Sequence, residues 1–359
     1  MFTRRSILAT AAAAPLAGLA TRARAAAPLK CAFVYPSPIG DAGWAHQHEL
    51  GRKAMVAALG DKVTTSFVES VSEEGADAER VIRKYAADGN NLIFTVSFGF
   101  MNPTVKVAGA FPKTEFEHCT GYKRAKNLAT YSARFYEGRY LAGIVAAGMS
   151  KSGTIGYVAA FPIPEVVQGI NAMLAGARTV NPNATIKVVF VSSWFDPGKE
   201  RAAADTLISQ GCDFLSHHTD STAVVQAGEE KGVPTISYNS DMSKYGPKTC
   251  MTGVTHVWDK YYIGRVRAAL DKSWKSQDVW GGVKDGMVAL APLNPAVPAI
   301  VRAQVDAATA KMAAGSLMAF AGPIKDQGGK VHGAAGGGLS DMDILSMDWF
   351  ADGVQGKLG

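Results

Sequence analysis

The sequence predicts an α/β protein of two lobes, each a parallel sheet flanked by helices, with a ligand cleft between them. Three observations carry this. Strand-like and helix-like segments alternate along most of the chain, the pattern that builds parallel sheets through right-handed crossovers. The alternation pauses near residue 150 and restarts, so it describes two similar units. The chain has 359 residues, 47% hydrophobic and 19% charged, enough for two cores and too apolar for extended disorder.

The elements follow in order. Residues 31–35 form a short apolar run, followed by a Pro/Gly loop and an amphipathic stretch over 45–59. A strand is expected over 63–68, a helix over 73–89 with Val81, Ile82 and Tyr85 on one side, and a strand over 91–96. Residues 104–110 read as a helix, 115–120 and 128–131 as strands. The apolar segment 137–149 reads as a helix stopped at Lys151-Ser152-Gly153. The second series is strand 154–159, helix 166–180, strand 186–191, helix 198–210, strand 212–217, helix 223–231 and strand 235–238. After His256 come a helix, strands over 281–290 and a helix over 296–314. The Gly-rich end from 318, with Gly336-Gly337-Gly338, reads as short strands and loops. The expected boundaries give 26–148 and 256–318 to the first lobe, and 149–255 and 319–359 to the second.

Residues 1–25 read as a cleavable export signal. Thr3-Arg4-Arg5-Ser6-Ile7-Leu8 is its charged start, 7–20 its short apolar stretch, and Ala23-Arg24-Ala25 its cleavage site. The paired arginines resemble a twin-arginine signal, with an ordinary Sec signal as the alternative. Both routes lead to the periplasm. The formal charge of +6 includes four arginines in this segment (Arg4, Arg5, Arg22, Arg24) and no acid, so the remainder carries +2. That is no electrostatic footprint for nucleic acid. No later run is apolar enough to span a membrane, and Leu29-Lys30 before Cys31 breaks a lipobox. The four cysteines, Cys31, Cys119, Cys212 and Cys250, fall in or beside strands. Quiet burial is one expectation, and bridges Cys31–Cys119 and Cys212–Cys250 the other. Their spacing suggests no metal site.

Ligands of open α/β sheets bind beyond the carboxyl ends of the strands, which selects the loops. Trp44 follows the first strand, and Phe98 and Phe100 the third. Phe161, Trp194, His218, Asp220, Asn239 and Asp241 follow strands of the second series. Aromatic rings with Asn and Asp at strand ends suit a flat heterocycle, stacked between rings and read at its edge. Asp220 and Asp241 equally suit caps or turns. The Gly-x-Ser-x-Gly, Walker, His-Glu-x-x-His and Gly-x-Gly-x-x-Gly signatures are missing, and no catalytic residue, metal or cofactor is expected.

Several segments, taken together, resemble the basic membrane protein family of ABC-transporter substrate-binding proteins, which includes PnrA-like receptors. They are Asp41-Ala42-Gly43-Trp44 with Gly51, Glu137-Gly138-Arg139-Tyr140-Leu141-Ala142-Gly143, 151–158, Asn181-Pro182, Phe195-Asp196-Pro197-Gly198-Lys199, Gln210-Gly211-Cys212-Asp213 and Gly322-Pro323-Ile324. The resemblance implies a type I periplasmic-binding-protein fold, a cleft that closes on its ligand, and a monomer that delivers to an ABC permease and ATPase. It puts Trp44 where the family stacks a Phe on a base, Asn239 and Asp241 in an acidic segment, and His256 near a ligand-facing Lys. Three positions depart: Ala45 replaces an Asn, Phe135 an Asp, and Asn239 an acid. Fewer ribose-holding groups beside retained aromatics imply a purine base such as adenine ahead of its nucleoside. A sugar, a flavin or another heterocycle on the same fold is the alternative, and a periplasmic nucleoside hydrolase is the catalytic one.

Overall fold

A computed structural model describes residues 27–358, and the expected export signal lies outside them. The first sheet starts with β1 (Leu29–Val34), whose last four residues are fully buried. An apolar run of this kind belongs in a sheet covered on both faces. The chain then runs α1 (Trp44–Leu59), β2 (Val63–Val68), α2 (Asp77–Ala87), β3 (Leu92–Thr95), α3 (Met101–Ala110), β4 (Glu115–Cys119) and β5 (Leu128–Ala133). β1 lies between β2 and β3, with Phe33 opposite both Phe67 and Phe94. The Phe33 and Phe94 rings stack at 4.5 Å.

The second unit is α4 (Phe135–Met149), β6 (Thr154–Ala159), α5 (Pro164–Arg178), β7 (Thr185–Phe190), α6 (Pro197–Ser209), β8 (Phe214–His218), α7 (Ala223–Lys231), β9 (Thr235–Asn239) and β10 (Cys250–His256). Then α8 (Asp259–Leu270) and β11 (Asp278–Gly281) return to the first lobe. β12 (Val288–Leu290), α9 (Ala299–Ala313), β13 (Ile324–Lys325), β14 (Val331–His332), α10 (Asp341–Leu345) and β15 (Val354–Gln355) complete the chain. The first sheet has the order β11-β5-β4-β3-β1-β2, and the second β12-β10-β9-β8-β6-β7-β15. All their pairings are parallel except β12 on β10.

The lobe boundaries differ from those expected in two places. α4, expected at the end of the first lobe, packs on α5, α9 and β10 of the second. A Cβ on Gly143 would collide with the Met173 carbonyl, and one on Gly176 with that of Tyr140. Two glycines facing backbone thus let α4 and α5 approach closely. Residues 281–290, expected as one strand region, divide between the sheets: β11 pairs with β5 and β12 with β10. α9 follows β12 and packs on α4.

The chain therefore crosses between lobes three times, at Arg134, at Val257 and over 282–287. The crossings are tied side by side. Arg134 N donates to Gly281 O (2.8 Å) and Val257 N to Met287 O (3.1 Å). All four cysteines are free, buried thiols. The expected bridges do not form: β3 separates Cys31 from Cys119, and Cys212 and Cys250 sit in different apolar clusters. Among the described residues, no helix is long and apolar enough to cross a membrane.

Candidate functional site

The carboxyl ends of both sheets face each other across a cavity of about 440 Å³. Its walls are the loops after eight strands, four from each lobe. The first lobe supplies Pro36, Ser37, Pro38 and Trp44 after β1, Ser70–Glu74 after β2, Ser97 and Phe98 after β3, and Thr120 after β4. The second supplies Phe161 and Glu165 after β6, Ser192–Phe195 after β7, His218–Asp220 at the end of β8, and Tyr238 and Asn239 at the end of β9.

The backbone marks this place independently. The described residues include five non-glycine residues with left-handed φ, and four of them line the cavity: Ser70 (57°), Thr120 (60°), Ser192 (52°) and Asn239 (69°). Such conformations are unfavourable for residues with a Cβ and gather where a chain is held for function.

Two aromatic groups border the cleft. Phe161 and Trp194 of the second lobe meet edge to face at 5.1 Å. Trp44 borders the cleft from the first lobe, its indole Nε1 donating to Val96 O at 2.5 Å. Behind Trp44 stand Phe135, His256 and Trp258 at 5.9, 5.2 and 6.3 Å, all edge on. These three sit at the interlobe crossings, so Trp44 connects the cleft to the hinge.

A carboxylate latches the lobes. The Ser37 hydroxyl and the Trp44 amide both donate to Asp220, and Asn239 Nδ2 donates to it at 3.3 Å. Burial pushes Asp220 up to about 7, against these donors, which favour the charged form. Gly43, with φ of 97°, brings the first lobe's loop to this carboxyl, and a Cβ there would collide with it. Gly43 N also donates to Ser240 Oγ at 2.7 Å. At the rim, Lys244 pairs with Asp41. Asp220 is itself fixed from behind: its amide donates to Trp194 O (2.8 Å), and Glu200 of α6 accepts from Thr219 Oγ1 (2.8 Å) and Ser221 Oγ (2.6 Å).

Polar atoms remain to read a ligand. His218 Nδ1, Tyr238 Oη and Asn239 Oδ1 are buried at the cleft without a hydrogen-bond partner. Buried polar groups are nearly always paired, so a run of exceptions calls for a ligand or water. Burial holds the His218 imidazole well below its usual value, and Arg139, His256 and His217 add to this. It therefore stays neutral, one nitrogen a donor and the other an acceptor. The lining contains Glu73, Glu74, Glu165 and Asp220 but no Lys or Arg, so it does not suit a phosphate.

A family description, ABC transporter substrate-binding protein PnrA-like, matches residues 29–316. This chain belongs to that family. This PnrA-like protein is 49% identical over 352 residues to a purine-binding protein of Brucella abortus, covering 98% of this chain and 99% of the relative. It is 38% identical to a putative ABC transporter glucose-binding protein of Haloferax volcanii, over 92% of this chain and 81% of the relative. Its fold is that of an ABC solute-binding protein of Aeropyrum pernix, with a TM-score of 0.71 at 19% identity, over 81% of this chain and 93% of the other.

Of the residues expected at the site, Trp44, Phe98, Phe161, Trp194, His218, Asp220 and Asn239 line the cavity of the PnrA-like protein. Four do not. Phe100 is fully buried in the first lobe's core with Val81, Ile82 and Phe116, because its side chain points into the helix layer. Phe135 and His256 belong to the hinge cluster, their rings 4.3 Å apart. Asp241 is exposed and closes a turn by accepting from Ser243 N at 2.9 Å. Sequence reasoning missed Glu165, Tyr238 and the serines. Glu165 fell just before the expected helix 166–180 and Tyr238 read as a strand residue. The hydroxyls carry no local signature.

Proposed function

We propose that this PnrA-like protein is the periplasmic receptor of an ABC importer and captures a purine-type ligand, a free base such as adenine ahead of its nucleoside. One observation carries the reading. The cleft combines an aromatic pair, Phe161 and Trp194, with buried unpartnered atoms on His218, Tyr238 and Asn239, and its lining has no cation. A flat, uncharged heterocycle with donors and acceptors around its edge meets each of these requirements. The 49% identity to a purine-binding protein supports the same class.

Capture works by closure. The ligand lies against the second lobe's rings and polar atoms, and the loop from Ser37 to Trp44 folds over it onto Asp220. Ligand contacts to both lobes shift the population toward the closed form. The monomer, cleaved near Ala25, then presents the ligand to its permease and ATPase.

A thermal-shift screen tests this. Mature protein is heated with adenine, hypoxanthine, adenosine, inosine, adenosine monophosphate, riboflavin and glucose. A ligand of the folded form raises the melting temperature by mass action. Adenine or hypoxanthine is expected to give the largest shift, nucleosides less, and the monophosphate none. A shift with glucose alone would remove the purine reading and favour the sugar class of the Haloferax relative.

A further inference from the structure

Glu165 stands in the first turn of α5, faces the cavity and keeps 23% of its side-chain surface open to it. The nearest ring nitrogen is His218 Nε2, 3.6 Å away. One turn further along α5, Gly169 leaves room for groups from three other elements. A Cβ there would lie 3.2 Å from the Tyr157 hydroxyl, 3.5 Å from Arg139 Cγ and 3.7 Å from His218 Nδ1. Tyr157 Oη, Arg139 Nε and His218 Nδ1 are all buried without a partner. Arg139 is fully buried. It donates to Ser216 Oγ (3.1 Å) and His217 O (2.7 Å), and its guanidinium lies 3.7 Å from the Tyr238 ring centre. It forms no ion pair among the described residues. A buried cation without a counter-charge is costly, and a carboxylate nearby relieves that cost.

We propose that Glu165 is the specificity-determining acceptor of the cleft, with Arg139 as its counter-cation, and that a ligand offering an N–H to this carboxylate binds with release of one proton from Glu165 to solvent. The inference deepens the purine reading and rests on it. The bond that breaks is the carboxyl O–H. The proton leaves through the cleft, and the carboxylate accepts the ligand N–H. The titratable and charged groups near Glu165 are His218 of β8, Tyr157 of β6, Tyr238 of β9, Arg139 of α4 and, buried in the core, Cys119 of β4. Burial pushes the tyrosines and Cys119 up and His218 down, so Arg139 is the charged one. His218 therefore does not keep the proton. In this structure, with the lobes latched, burial pushes Glu165 up to about 8 while Arg139 opposes. A ligand N–H favours the charged form and brings it down.

Isothermal titration of the mature chain with adenine and with hypoxanthine counts the protons. It is run at pH 7 in phosphate and in Tris, whose ionisation heats differ. The parent protein is expected to release about one proton per ligand and to bind about tenfold tighter per pH unit up to about pH 8. Glu165→Gln, with its melting temperature retained, should release none and bind about tenfold or more weakly. Equal heats for the parent in both buffers overturn the inference and leave the purine reading standing, and that measurement needs no variant. Release that persists in Glu165→Gln and vanishes in Asp220→Asn also overturns it, by giving the proton to Asp220. No heat from the parent with either base overturns the purine reading, and this inference with it.

Discussion

The two faces of the cleft are built from the same parts and differ in chemistry. The first lobe contributes mainly hydroxyls, buried at Ser37 and Ser97 and exposed at Ser70 and Ser72, with Phe98 partly buried. The second contributes His218, Thr219, Asp220, Tyr238 and Asn239, all buried. The unpartnered cleft atoms lie there, as do the shifted titratable groups Glu165, His218 and Asp220. Pre-set polar atoms in a dry wall discriminate between ligands. Short hydroxyl side chains close over a ligand at little cost in side-chain entropy. The comparison assigns recognition to the second lobe and closure to the first.

Asp220→Ala should break that assignment most severely. It strands the Ser37 hydroxyl, the Trp44 amide and Asn239 Nδ2. The expected loss is about 3 kcal/mol from the closed form, with a larger radius of gyration in small-angle scattering with saturating ligand. A scattering curve identical to the parent's would show that closure is held elsewhere. Next come the rings. Trp194→Ala should weaken base binding by about 1–3 kcal/mol, the range for an aromatic stacked on a base, and Phe98→Ala by less. Calorimetry that ranks them the other way would move recognition to the first lobe. Trp44→Ala should also weaken binding, by about 1 kcal/mol, the low end of the stacking range, because this first-lobe ring serves closure, and an unchanged affinity would take Trp44 out of the site.

A pH test sharpens the contrast. Asp220, raised to about 7 in the folded protein, holds its proton longer than the unfolded chain does. Its contribution to stability is present below about pH 4 and lost as pH rises through 7. Asp220→Asn, which cannot ionise, should therefore stand lowest relative to the parent at pH 5 and gain on it by pH 8. Paired melting curves read this, and a constant offset between them contradicts it. The smallest effect belongs to Ser37→Ala, which removes one hydroxyl donor to Asp220. About 1 kcal/mol of weaker ligand binding is expected, and a loss as large as that of Trp194→Ala would mean that the first lobe also recognises.

Much of the fold was legible because it is written in local periods. β1 is an apolar run bounded by a loop, β8 and β9 are short segments between helices, each with one or two apolar residues near its start, and α1, α5 and α6 begin within two residues of where the pattern put them. The loop rule found Trp194, His218 and Asp220 because each directly ends or follows a strand. Long-range packing was not legible. The segment 135–149 is apolar nearly all round, which says that it is buried but not under which sheet. Residues 281–290 read as strands of a single lobe because nothing local marks a crossing between lobes. Phe135 and His256 were placed on the ligand by the family resemblance; the hinge lies next to the cleft, and only three-dimensional contacts separate the two. Arg139 was legible only as part of a family motif, since a charge within an apolar helix does not reveal what it faces.

The third crossing bears on how the chain comes into being. The first sheet lacks its edge strand β11 and the covering helix α8 until residue 281 has been made, and the second lacks β12 and α9 until residue 313 and its other edge strand, β15, until residue 355. The first half cannot finish until most of the second has been synthesised, and the second finishes later still. A ribosome releasing residues in order therefore produces no early, self-contained domain. Both halves are completed late, the first before the second, and a truncation anywhere before the end of β11 leaves both unfinished.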